Sequence, residues 1–383
     1  MFQKTSTMPM TTRPIRSTWQ HRLAFERIRF RLARRFGLDV NLLNAAASVE
    51  ELHPTEKIAG APCIALPGQF ERISKGGFDI DIAEEIAQLK GGPREIGPTV
   101  RYVLDNVLVS HGIIHARGRR KLFNSTIDLG SVQSPWAEYD EAGLRSSYVG
   151  CYFFGHWLAD DCTTHLLAQQ SGTPMSMPTP PWPNCAGYLG LFGQSYIELG
   201  RAHVRRLVLY DDIAHNEHKA SRFRALRARV GSNNESRAAG RIVYLMRGRL
   251  GGAQPVGTDA YRSSFGRTIH NEAEIVEALM RQGVTIVCAE TLTVPQLIAE
   301  LLGARIVIGL EGSQLSHGLF TLHDKGGMLA IQPPDRLYNG YMDAMNVLGM
   351  RYGIVVGEQR QSGFHLPLGD LLRTIDLMDT KLC

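Results

Sequence analysis

The sequence predicts an α/β protein whose C-terminal half is a doubly wound, parallel sheet. Three observations carry this. From residue 241 onward, short β-branched runs alternate with helical stretches over short connections, the pattern of strand–helix–strand units. Within that run, 304–320 reads as strand, tight polar turn and helix. Ile306-Val307-Ile308 is continuous and apolar, Gly309 breaks it, Glu311-Gly312-Ser313-Gln314 is compact and polar, and Leu315, Leu319 and Phe320 resume at helical spacing. Finally, 383 residues that are 44% hydrophobic and 21% charged are enough for two domains of ordinary size.

Taken in order, residues 1–12 form a Thr/Met/Pro-rich tail. Residues 13–37 read as a basic amphipathic helix, with Trp19, Leu23, Phe25, Ile28, Leu32 and Phe36 set among arginines. At about 100° per residue, Arg16, Arg27, Arg31, Arg34 and Arg35 fall on one side and most of the apolar residues on the other. Such a helix lies on an anionic membrane surface, or packs on its own domain with a solvated basic face. The region 38–98 is mixed, with a helix over 82–89 headed by Asp79-Ile80-Asp81, where an Asp is an ordinary cap. Residues 99–123 read as a strand pair at 102–104 and 107–109, then a strand at 112–115 and a basic turn at 117–121, and 124–148 as loop.

The stretch 149–161, VGCYFFGHWLADD, places His156 and Asp160 four apart on one helix face. A His with a carboxylate at that spacing makes a tuned general base, or a hydrogen bond inside a domain interface with Asp161 solvated. Five prolines make 174–183 irregular. Gly187, Gly190 and Gly193 follow no strand and so are not a dinucleotide fingerprint. A strand is expected over 204–210 and a basic helix over 214–230. The polar stretch GSNNESRAAG at 231–240 is the linker candidate, giving segments 1–37, 38–235 and 236–383. Beyond it come a strand at 242–246, a Gly-rich basic loop at 247–266, and a helix over 272–282 capped by Asn271. Then follow a strand at 284–288, a helix opened by a capping box at Thr293 and Gln296, and strands at 305–310, 328–332 and 352–356. Helices are expected at 343–349 and after Pro367.

A net charge of +5 is weak evidence for a nucleic-acid partner, and none is expected. The six cysteines include no C-x-x-C pair, which excludes the common zinc and thioredoxin-like motifs and suits reduced thiols. No apolar run approaches the roughly 18–20 residues that span a bilayer. The N-terminus lacks an apolar signal region. The chain is expected in the cytoplasm, peripheral to the inner membrane face.

Four blocks add a resemblance. They are Tyr244-Leu-Met-Arg247, Arg267-Thr-Ile-His-Asn271-Glu272, the stretch 284–292 with Glu290, and the turn Gly309-Leu-Glu311-Gly312-Ser313. In order and spacing they resemble the family 61 glycosyltransferases, and the His-Trp helix at 156–157 resembles that family's N-terminal half. Glu311 stands where many members carry His, and His317 lies near a position often held by Asn.

The resemblance implies a GT-B-like arrangement, two Rossmann-like domains around a cleft. It implies inverting sugar transfer from a nucleotide sugar, UDP-linked, to a glycan or lipid-linked acceptor in cell-surface polysaccharide (capsule) synthesis. No metal or other cofactor is needed in such a scheme. Donor binding falls to Arg247, Arg267, Asn271, Glu272, Glu290, Gly312, Ser313, Gln314 and His317, because guanidinium forks and helix-terminal amides suit a diphosphate. The catalytic candidates are His156, Asp160, Asp161 and Glu311. Two other classes remain open: a metal-dependent transferase using Asp79 and Asp81, and a non-catalytic glycan or nucleotide-sugar scaffold, to which the Glu311 departure points.

Overall fold

The computed structural model describes residues 16–78, 80–124, 135–232, 234–247 and 267–382. The C-terminal half builds five parallel strands in the order Thr285–Cys288, Ile242–Met246, Ile306–Leu310, Gly327–Gln332, Arg351–Val356. Counted along the chain this is 2-1-3-4-5. The winding therefore reverses between Ile242–Met246 and Ile306–Leu310, which opens a crevice at their carboxyl ends. Arg247 and Glu311 are the residues that follow those two strands.

These strands read as continuous apolar runs because both faces are covered. Tyr244, Ile306, Ile308, Leu329 and Val355 pack beneath the helices Glu272–Arg281 and Leu368–Lys381. Their alternates Val243, Leu245, Val307, Met328 and Ile354 face Val294–Leu301, Ser316–Thr321 and Met342–Val347. The predicted capping box is present, with the Thr293 amide donating to Gln296 Oε1 at 3.0 Å.

The N-terminal half forms a mixed sheet of eight strands. Its order is Arg119–Leu122, Ile113–Ala116, Thr99–Ser110, Ala202–Asp211, Ala137–Leu144, Thr173–Ser176, Ile197–Glu198, with Ser48–His53 also on Thr99–Ser110. The expected break at residues 105–106 does not occur. One strand runs through it, Asn106 taking a φ of 54°, because pairing with Ala202–Asp211 continues on both sides. The expected loop 124–148 contains a strand at Ala137–Leu144, whose polar sequence hid it. Parallel partners on both edges, not its own composition, hold it extended. Pro174 likewise falls inside the short strand Thr173–Ser176. The three glycines at 187–193 belong to the helix Cys185–Phe192 and its left-handed cap Gly193, φ 58°.

The two halves share one core. Trp157, Leu158, Tyr188, Phe192, Phe223 and Leu226 join the cluster that covers one face of the parallel sheet. The chain also crosses early: Ile64 donates to the Tyr352 carbonyl and accepts from the Ile354 amide, both at 2.9 Å, lying beside the last parallel strand. The linker candidate begins inside the helix Glu217–Ser232, and its Ala238 is buried. Tail residues 1–12 and the basic loop after Arg247, through 266, lie outside the described residues. Among the described residues no helix is long and apolar enough to cross a membrane.

Candidate active site

A cleft built from both halves has a volume of about 540 Å³. One wall comes from His156, Asp160 and Tyr152, the other from Arg267, Glu311, Gly312, Ser313 and Arg336, with Phe78, Tyr338 and His215 closing the ends.

The first wall is a helix in three parts: Phe154–His156, a π-turn at Trp157–Asp161, and Cys162–Ala168. Single π-turns recur at functional sites because they re-aim side chains within a helix. Here His156 Nδ1 lies 2.7 Å from Asp160 Oδ2. The other carboxylate oxygen, Oδ1, is ion-paired with Lys219, whose ammonium is fully buried and also donates to the carbonyls of Asp212 and Ile213. Burial pushes the Asp160 carboxyl up, but Lys219 and then the bond to His156 outweigh it and hold the group below the usual carboxylate range. An ionised Asp160 only accepts, so Nδ1 carries the proton. In a neutral ring Nε2 is then the basic nitrogen. It faces the cleft, 3.2 Å from the Tyr338 hydroxyl.

Asp161, one residue on, has a different fate. It is buried away from the cleft lining, and its Oδ1 accepts from the Ser147 amide and hydroxyl, both at 2.8 Å. Burial pushes its carboxyl up to about 7, against the opposing pull of Arg145. The expectation of a solvated Asp161 therefore fails: the π-turn rotates it into the protein, where it anchors the 147–150 turn.

On the second wall, Glu311 is 4% exposed and its Oε2 accepts from Arg267 at 3.1 Å and from Arg336 at 2.9 Å. The Glu that stands where many family members carry His thus holds two guanidinia through one carboxylate oxygen. Arg267 also donates to the Glu311 carbonyl at 2.9 Å, while its Nε is buried without a partner among the described residues. Burial and then Arg267 lower the pKa of both Arg247 and Arg336, the signature of like charges crowded together. Arg247 lies in this field but does not line the cleft.

Gly312, φ 147°, is required twice. Its backbone is one that L side chains rarely adopt, and a Cβ would sit 2.9 Å from Arg267 Nη1. The Tyr341 hydroxyl donates to its carbonyl at 2.8 Å. Ser313 approaches the opposite wall so closely that a Cβ on Gly155 would lie 3.0 Å from Ser313 Cα.

Several sequence-predicted residues serve the fold. Gln314 donates to the Leu245 and Leu310 carbonyls, tying the two switch-point strands together. His317 is buried against Tyr188, whose hydroxyl lies 2.6 Å from its Nδ1, and burial pushes it down to about 3. Asn271 does not cap its helix by its side chain, which instead clasps the Leu366 amide and carbonyl. Glu272 accepts from the Tyr244 hydroxyl at 2.9 Å, and burial raises its pKa. Glu290 is exposed beyond the neighbouring strand and accepts from the Cys288 thiol at 3.4 Å. Asp81 caps its helix, accepting from the Ala83 and Glu84 amides at 2.8 and 3.3 Å, and Asp79 lies outside the described residues. Among the described residues no group of three or more His, Cys, Asp and Glu is placed to hold a metal.

Arg336, Tyr338, His215 and Lys219 were missed. Arg336 and Tyr338 follow the strand Gly327–Gln332 and its Pro333-Pro334 stop, the same strand-end position that singled out Arg247 and Glu290, so a signal existed. Lys219 carried none, reading as one more basic surface residue.

No curated protein matches the chain. Residues 154–329 do match the profile of the family described as Glycosyltransferase 61. That span opens at the helix of His156 and takes in Arg267 and Glu311, while Arg336 and Tyr338 fall outside it. Over these residues the chain is similar to the family 61 glycosyltransferases, and glycosyl transfer is the activity that this similarity suggests.

Proposed function

We propose that the protein transfers a sugar from a nucleotide-sugar donor, UDP-linked, to a hydroxyl of a glycan or lipid-linked glycan acceptor. The supporting observation is one cleft that sets the His156–Asp160 pair opposite Arg267 and Arg336. In this reading the donor diphosphate lies against Arg267, Arg336 and the Gly312-Ser313 turn. The acceptor hydroxyl displaces the Tyr338 hydroxyl from His156 Nε2 and gives its proton to that nitrogen. Its oxygen attacks the anomeric carbon as the bond to the diphosphate breaks, so configuration inverts. Arginine then balances the charge growing on the leaving group, and the scheme takes no metal.

The reading keeps the GT-B-like division, with 38–235 on the acceptor side and 236–383 on the donor side. It also keeps a place in cell-surface polysaccharide synthesis. The test is product formation from a panel of UDP-sugars, with and without EDTA. Transfer that persists in EDTA and falls by about 10²–10³ in Arg267→Ala supports the scheme. Loss in EDTA turns it toward a metal-dependent transferase. No turnover and no thermal shift with any nucleoside diphosphate turns it toward a scaffold.

A further inference from the structure

The helix Arg16–Arg35 carries two apolar faces where one was expected. Trp19, Leu23 and Phe30 are buried. Trp19 stacks on His203 at 3.9 Å and donates to Glu138 at 3.0 Å, and the Arg120 guanidinium covers Phe30 at 3.9 Å. This face fixes the helix to the strands Ile113–Ala116 and Arg119–Leu122. The opposite face bears Phe25, Ile28, Leu32 and Phe36, spaced three, four and four residues apart, and they are 59%, 52%, 49% and 72% exposed. Arg31 and Arg35 flank this stripe on one side, Arg22 and Arg29 on the other, at about 100° per residue. Beside it lies a groove of about 420 Å³ lined by Arg27, Arg31 and Arg201 with Leu23 and Ile28. Burial, then Arg201 and Arg31, lower the pKa of Arg27. The helix has seven arginines and one acid, Glu26, already bonded to Arg29 and the Gly118 amide.

We propose that this outer face docks the protein on an anionic lipid surface. The four apolar side chains enter the headgroup boundary and the flanking arginines meet lipid phosphates. Charge decides among occupants. A second copy would set arginine against arginine with no carboxylate free on the helix to answer it. Residues 1–15 carry Lys4 and Arg13 and no acid, so they offer no complement either. The inference does not depend on the proposed transfer reaction.

The test is flotation of the full chain with phosphatidylcholine vesicles, pure or with about a third phosphatidylglycerol. Binding is expected only to the anionic vesicles and should weaken as salt rises from about 0.05 to about 0.5 M. The paired variants Phe25→Ser with Leu32→Ser, and Arg31→Glu with Arg35→Glu, should each lose about tenfold or more in apparent affinity. Their melting temperatures should match wild type, since these side chains are exposed. Absence of flotation, equal binding to neutral vesicles, or a dimer in sedimentation velocity that the Phe25→Ser, Leu32→Ser variant abolishes would overturn the proposal.

Discussion

The two walls of the cleft use one device and end with different charge. Each centres on a buried carboxylate shared by two basic partners. On the His156 side, Asp160 (−1) meets Lys219 (+1), and this buried pair sums to zero. On the Gly312 side, Glu311 (−1) meets Arg267 and Arg336 (+2), and the sum is +1, with Arg247 nearby to raise it. A neutral wall with an oriented imidazole suits proton removal. A wall with an unanswered guanidinium suits an anion. The chemistry of each side thus follows from how many cations one carboxylate must hold, more than from which residue types are present.

The largest effects should come from separating the walls. His156→Ala should lower kcat by about 10²–10⁴ while leaving the dissociation constant for UDP within about threefold. Arg336→Ala should instead weaken UDP by roughly 10- to 100-fold, the value of a hydrogen bond to a charged group. Transfer kinetics alongside UDP titration calorimetry check the split. If both variants changed the same parameter, the walls would not divide the work.

The neutrality of the His156 wall can be broken directly. Lys219→Met strands Asp160 in the interior and should cost about 3–5 kcal/mol in urea unfolding. Adding Asp160→Leu should recover most of that stability without recovering turnover, because His156 would then lack its orienting partner. Recovery of turnover as well would remove Asp160 from the mechanism.

A smaller effect sharpens the contrast between adjacent carboxyls. Lys219 pairs with Asp160 but not with Asp161, so at the second carboxyl burial prevails over Arg145 and the Ser147 bonds and raises it from 3.8 to about 7. In that interval the folded chain holds a proton that the unfolded chain has released. The stability this group contributes is complete below its ordinary value and disappears as pH rises through about 7. The melting temperature of the wild type should therefore drop between about pH 5 and about pH 8 by more than that of Asp161→Asn, whose amide does not titrate. Parallel pH profiles would show that Asp161 titrates normally.

Much of this was legible in the residues. The parallel half announces itself because strands covered on both faces must be continuous apolar runs, and because caps such as Thr293 with Gln296 act locally. The spacing of His156 and Asp160 needs only helix geometry to be read, and Arg267 was found by its block. Harder to read was the strand Ala137–Leu144, whose extension comes from its neighbours in the sheet. The same holds for the basic helix 16–35: its pattern gave amphipathicity, and only packing divided its apolar residues between a buried and an exposed face.

What the sequence by itself determined was the order of elements in the C-terminal half and the residues at its strand ends, because periodicity and capping depend on near neighbours in the chain. The tertiary structure alone decided which charges meet: Lys219 with Asp160 across 59 residues, and Arg336 with Glu311 across 25. Pairing of buried charges depends on distance in space and on exclusion of water, and neither is written in the local pattern of the residues involved.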